Sequence, residues 1–326
     1  MDNLSLPSSR TPDFAQQVSA AFPPPRRNPV LFNEAGLRAG WRLLIYILLV
    51  AALGASITFV LRKIHPRPRS TSGVPTPTAM LQQEAFSFAL IFGCALIMSK
   101  IEKRSPGAYG LPASEAFGRK FWLGALLGLA EISLLIGLIS AFGGYSFGGL
   151  ALSTKGVLRW ALLYLLIFTL VGFFEEFLFR GYTQFTLADG IGFWPAALFF
   201  SLAFGAAHLS NPGEGWVGAG SVVLVGLFFA FTLYRTGNLW YAVGLHASFD
   251  WGESFLYSVP DSGLVVPGHL SNAVLHGPNW LTGGTVGPEG SVFCFVTMGL
   301  QFLVVMWLFP KRSLARVPSS GPAQSA

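Results

Sequence analysis

LLYLLIFTLVGFFEEFLFRGY, residues 162–182, decides how this chain is read. Residues 162–174 carry no charge, and Glu175, Glu176 and Arg180 then follow inside the same apolar run. About 18–20 apolar residues suffice to cross a bilayer as a helix. An ionised group at the centre of such a helix costs about 2.5–3.5 kcal/mol. Three together are tolerated where they face a bundle interior, pair with one another, and mark a pathway or a site.

The rest of the chain agrees with a membrane setting. Of its 326 residues, 52% are hydrophobic and 11% charged, against about 25% charged in a soluble domain. Eight apolar runs stand out, at about 41–61, 82–99, 121–142, 157–187, 193–210, 217–234, 238–257 and 291–309. The second is weakened at its start by Gln82, Gln83 and Glu84. The runs are continuous rather than alternating, so they predict an all-α polytopic bundle of about eight spans and not a β-barrel. The net charge of +6 comes from Lys and Arg at the ends of the runs. That placement suits lipid headgroups and requires no nucleic acid. An even number of spans puts both termini on one face. The basic residues around 10–38, 100–104, 119–120, 235 and 311–316 predict that this face is cytoplasmic, although RKIHPRPR at 62–69 runs against it. Cys94 and Cys294 sit in apolar runs and read as small buried hydrophobes.

The domain reading is a Pro-rich disordered tail over 1–37, without the pattern of a cleavable signal peptide. A membrane domain over 38–310 and a second tail over 311–326 complete it.

Glu176 and Arg180 are four apart and share a helix face, so they predict an ion pair. Glu175 is turned about 100° away, so its partner must come from another helix. His208 closes the fifth run, with Phe204 one turn before it. His246 and Asp250 form another i, i+4 couple, in LHASFD. A hairpin turning at ADGIG (188–192) would bring Glu175 and His208 to similar depth, about 23–27 Å from its tip.

These three motifs, E-E-x-x-x-R, F-x-x-x-H and H-x-x-x-D, resemble those of the CAAX-protease and bacteriocin-processing family of intramembrane proteases. That family includes the type II CAAX prenyl endopeptidases, and the likeness covers roughly residues 120–257. The resemblance implies an intramembrane endopeptidase. Glu175 and His208 would activate water, His246 and Asp250 would stabilise the oxyanion or hold the site, and Glu176, Arg180 and Phe204 would support it. It also implies a peptide or membrane-protein substrate, with a prenylated C-terminal tail as one form.

The chemistry is coherent on its own terms, because amide hydrolysis needs a base for the attacking water and donors for the oxyanion. Glu175, His208, His246 and Asp250 could also ligate zinc and leave one position for water. Their dispersal over separate helices, without H-E-x-x-H, favours a metal-free site.

Blander readings stand beside these. Glu176–Arg180 and His246–Asp250 could be purely structural pairs. Glu253 reads as a helix-end or water-facing group, and His65, His269 and His276 as solvated loop residues. Gly144–Gly148 matches G-x-S-x-G without the strand–turn–helix that a nucleophile elbow requires. The Gly-rich 281–290 stretch lacks the Lys of a nucleotide loop. A transporter using the Glu, His and Asp residues as a proton relay is the first alternative function, and it would call for inverted repeats or broken helices. A non-catalytic membrane scaffold or immunity-type protein is the second.

Overall fold

The computed structural model describes residues 28–34, 36–64, 76–211, 213 and 215–310. The C-terminal tail, His65 and most of the N-terminal tail lie outside the described residues. At the end of the N-terminal segment, Phe32–Asn33 (β1) and Gly36–Leu37 (β2) form a small antiparallel hairpin.

Each of the eight apolar runs is helical. From Ala39 onward the bundle comprises α1 (Ala39–Ile64), α2 (Pro77–Glu102), α3 (Arg119–Ala141), α4 (Thr154–Arg180), α5 (Tyr182–Ile191), α6 (Phe193–His208), α7 (Trp216–Thr236), α8 (Trp240–Trp251), α9 (Asn279–Thr282) and α10 (Val292–Leu308). The starts are chemically marked. Thr76 accepts from the Ala79 amide ahead of Pro77, Ser153 from Gly156, and Ser291 from Phe293. These hydroxyls satisfy N–H groups that a helix start leaves without partners.

Among the described residues, five segments are long and apolar enough by themselves to cross a membrane: α1, α2, α3, the α4–α5 run and Gly218–Thr236 of α7. α6 and α10 are apolar but shorter. One expectation needs correction: the run at 157–187 is not one helix. Gly181, at φ −83° and ψ −125°, separates α4 from α5. Of the expected ADGIG turn, residues 188–191 lie inside α5, and the chain passes into α6 at its last residue, Gly192 (φ +88°).

α8 lies at the centre. It has twelve residues, ten of them buried, and runs on into a π-helical turn at Gly252–Leu256. A helix buried all round must be approached closely by its neighbours. α3 does this through GALLG, residues 124–128. A Cβ on Gly124 would lie 2.1 Å from the Tyr241 carbonyl oxygen, and one on Gly128 2.2 Å from that of Leu245. This small-xxx-small contact is how membrane helices pack at short range.

At one end of the bundle Arg42 bonds Glu102 at 2.7 Å and Asp189 at 2.8 Å, and Arg104 bonds Asp189 at 2.6 Å. Tyr182 also donates to Glu102. This network ties α1, α2 and α5 together. At the other end, Tyr145–Ser146 (β3) pairs antiparallel with Val274–Leu275 (β4). The strands fasten the 258–290 segment to the loop after α3. Ser146 of the G-x-S-x-G match lies on β3, with its hydroxyl 2.8 Å from His276 Nε2. Neither a preceding strand nor a following helix makes it an elbow.

Candidate active site

α4 and α8 supply the core of the site. Glu176 and Arg180 have fully buried side chains, and Arg180 Nη1 donates to Glu176 Oε1 at 3.2 Å, as the spacing predicts. The cation is otherwise enclosed by rings. Its guanidinium carbon lies 4.3 Å from the Phe204 ring centroid and 5.4 Å from that of Phe229. Aromatic faces attract a desolvated cation. Gly226 leaves room for it, since a Cβ there would lie 2.8 Å from Arg180 Nη2.

His246 is the hub. Its Nδ1 lies 3.1 Å from Glu176 Oε1. Its Nε2 lies 3.6 Å from Glu175 Oε2 and 3.4 Å from Asp250 Oδ2. The ring stacks on Phe229 at 5.1 Å. An ionised carboxylate can only accept, so the Glu176 bond places a hydrogen on Nδ1. The inter-helix partner of Glu175 is thus His246. His208 Nδ1 bonds the Phe204 carbonyl at 2.9 Å, which places its hydrogen there and leaves Nε2 as the other functional atom. The Phe204 ring sits edge-on to His208 at 4.5 Å.

A cavity of about 470 Å³ is lined by Glu175, His208, His246 and Asp250, but not by Glu176 or Arg180. Glu175 and His208 therefore face one space although the straight hairpin does not exist. The zinc reading fits less well. Among the described residues, none of the motif ligands belongs to a set of three with ligand atoms within 4.8 Å of one another.

The cavity also has walls the motifs did not flag. Glu131, from α3, lines it and is buried; Gln83 and Glu84, near the start of α2, line it without being buried. A lone Glu in LGLAEISLL carries the intramembrane charge cost of about 2.5–3.5 kcal/mol, and that was its signal. Asp261 and Glu289, from the 258–290 segment, line the cavity too. No spacing announced them. Burial and the neighbouring Asp250 and Glu289 carboxylates hold the Asp261 carboxyl well above the usual carboxylate range. Glu253 is a correction. It is fully buried rather than water-facing, and neither carboxylate oxygen has a hydrogen-bond partner.

No curated protein and no solved structure matches the chain. A family model does, that of the Type II CAAX prenyl endopeptidase Rce1-like proteins, over residues 155–252. The matched segment starts in the first turn of α4 and ends just past α8, so it contains all three motifs. The matched family is described as CAAX-type proteases, and the long apolar helices together with that match support an integral membrane protein. By sequence, residues 155–252 are similar to the type II CAAX prenyl endopeptidase Rce1-like proteins, which agrees with the resemblance carried by the three motifs.

Proposed function

We propose that the protein is an intramembrane endopeptidase in which Glu175 acts as general base on a water molecule. One observation carries this reading. Glu175, His208, His246 and Asp250 line one cavity, while Glu176 and Arg180 are sealed behind it. Glu175 keeps 24% of its side chain exposed and can reach a water. Glu176, equally acidic and one residue on, has no exposed surface and serves another end.

In this reading, water attacks the scissile carbonyl carbon as Glu175 takes one of its protons. The carbon–oxygen bond forms while the carbonyl π pair moves to oxygen. His246, as an imidazolium among Glu175, Glu176 and Asp250, offers its Nε2–H to that oxyanion, the kind of electrostatic contribution that dominates acyl-transfer catalysis, and His208 Nε2 accepts from the water and orients it. Collapse breaks the C–N bond, and the leaving amine takes the proton held by Glu175. Asp250 and Glu176 hold His246 in position, and Arg180 neutralises Glu176. The termini face the cytoplasm, and a prenylated C-terminal tail is the favoured substrate class. The apolar walls of the cavity (Phe168, Phe174, Phe179) suit a lipid chain beside the scissile bond. The transporter reading gains a broken helix at Gly181, but Gly181 does not line the cavity and its N–H bonds Phe177.

The test is incubation of the purified full chain, in lipid, with a peptide ending in a prenylated CAAX sequence, with its non-lipidated counterpart, and with a mixed peptide library. New peptide termini, formed faster from the prenylated peptide, are expected. Folded protein that creates no new terminus in any pool overturns the endopeptidase reading.

A further inference from the structure

A second constellation lies where the 258–290 segment meets the π turn after α8. One carboxylate oxygen each from Glu253, Asp261 and Glu289 lie within 4.8 Å of one another. The last two are held in place from outside. Ser254 Oγ donates to Asp261 Oδ2 at 2.9 Å, and both the amide and the hydroxyl of Ser262 donate to Glu289 Oε2 at 2.8 Å. Clustered acids alone would carry nothing, since such groups neutralise one another by keeping protons. Glu253 adds a separate observation. It has no exposed surface, it is aimed at the other two carboxylates, and both its oxygens lack any hydrogen-bond partner. A buried acceptor in that state has lost its hydration with nothing to compensate it. The 258–290 segment contains no Lys or Arg, and among the described residues no cationic side chain pairs with any of the three.

We propose that Glu253, Asp261 and Glu289 bind a divalent cation of the hard, oxygen-ligated class, of Ca²⁺ size, which clamps the 258–290 segment onto the end of the central helix. The donor set is all oxygen, which excludes the thiophilic metals in favour of Ca²⁺, Mg²⁺ or Mn²⁺. Two oxygens on one Ca²⁺, at about 2.3–2.6 Å each, lie at most about 5.2 Å apart, whereas Mg²⁺ at about 2.1 Å allows only about 4.2 Å. Three oxygens within 4.8 Å of one another are therefore close enough for one Ca²⁺ to gather with a small inward movement, and the larger ion needs less of it than Mg²⁺. A +2 ion offsets most of the three negative charges and gives Glu253 its missing partner. Asp261 and Glu289 also line the cavity that holds Glu175 and His246, so the ion braces one wall of that cavity. The site is distinct from the motif residues and does not depend on the protease reading.

The experiment uses purified full chain in lipid nanodiscs after EDTA treatment, titrated with CaCl₂, MgCl₂ or MnCl₂ alone. Direct binding and thermal melting are followed, and no activity is needed. One Ca²⁺ per chain and a Ca²⁺-dependent rise in Tm are expected. Glu253→Gln, which keeps shape and removes a buried charge, should melt in EDTA no lower than wild type yet bind Ca²⁺ at least about tenfold more weakly. Ser262→Ala should show a smaller loss, and Glu175→Gln should bind as wild type. Absence of saturable binding by folded wild-type protein overturns the proposal. So does wild-type affinity in Glu253→Gln, and so does loss of binding in Glu175→Gln alone, which would move the ion to the motif site.

Discussion

Replacing Arg180 with Ala removes the cation between Glu176 and the rings of Phe204 and Phe229. Breaking a buried ion pair by deleting one partner costs about 3–5 kcal/mol. Here Glu176 keeps its His246 Nδ1 contact at 3.1 Å, so the lower end, about 3 kcal/mol, applies. Loss of the desolvated cation over Phe204 adds about 1–2 kcal/mol. A total near 4–5 kcal/mol corresponds to a fall in Tm on the order of 10 °C for a chain of this size. The assay is thermal unfolding of purified protein in one detergent, read beside peptide cleavage. The Glu176→Gln/Arg180→Gln double variant leaves no ion unpaired and keeps an acceptor for His246. It should recover most of the lost stability while cleavage stays low, because a neutral amide holds the His246 N–H less firmly than a carboxylate does. Arg180→Ala protein that melts like wild type and loses only turnover would refute this reasoning. It would move Arg180 from a positioning role to contact with substrate.

Gly226→Ala should act on the same cation from the opposite wall, because its new Cβ meets Arg180 Nη2 at 2.8 Å and Ser201 Cβ at 3.0 Å. A cost of about 1–3 kcal/mol is expected, the usual penalty of overpacking, with a matching fall in cleavage. Gly128→Val should be worse, since the atom it meets at 2.2 Å is the Leu245 backbone oxygen, which cannot rotate away. α3 and α8 must then separate, and recovery of folded protein by size-exclusion chromatography should collapse. His246→Ala should lower cleavage by at least about 100-fold, the low end for a positioned acid–base or oxyanion group. Equal cleavage by that variant would remove His246 from the site.

Much of the site was legible because charge inside an apolar run is costly and needs a reason. Glu176–Arg180 followed from i, i+4 spacing on one helix, and the partner of Glu175 was rightly sought on another helix. The identity of that partner was less readable, because depth was counted along a straight hairpin. Gly181 breaks the helix six residues after Glu175, and a lone Gly gives little warning of that. The eight apolar runs were plain from composition. Their division into five long helices and shorter ones was not, since the central α8 reads like a span yet is enclosed by its neighbours. GALLG held a visible packing signal, and Glu131 a visible charge signal, yet neither belonged to a motif. Asp261 and Glu289 come from opposite ends of the 258–290 segment and meet Glu253 only through the tertiary fold. No local pattern encodes that contact.

The central claim is that Glu175 is the base, and the most direct measurement is single-turnover peptide cleavage by Glu175→Gln beside wild type, with melting recorded on the same samples. The amide is nearly isosteric and cannot take a proton from water. The account therefore expects a rate at least about 100-fold lower at a Tm equal to or above that of wild type. Cleavage within a few-fold of wild type by the folded variant would contradict it.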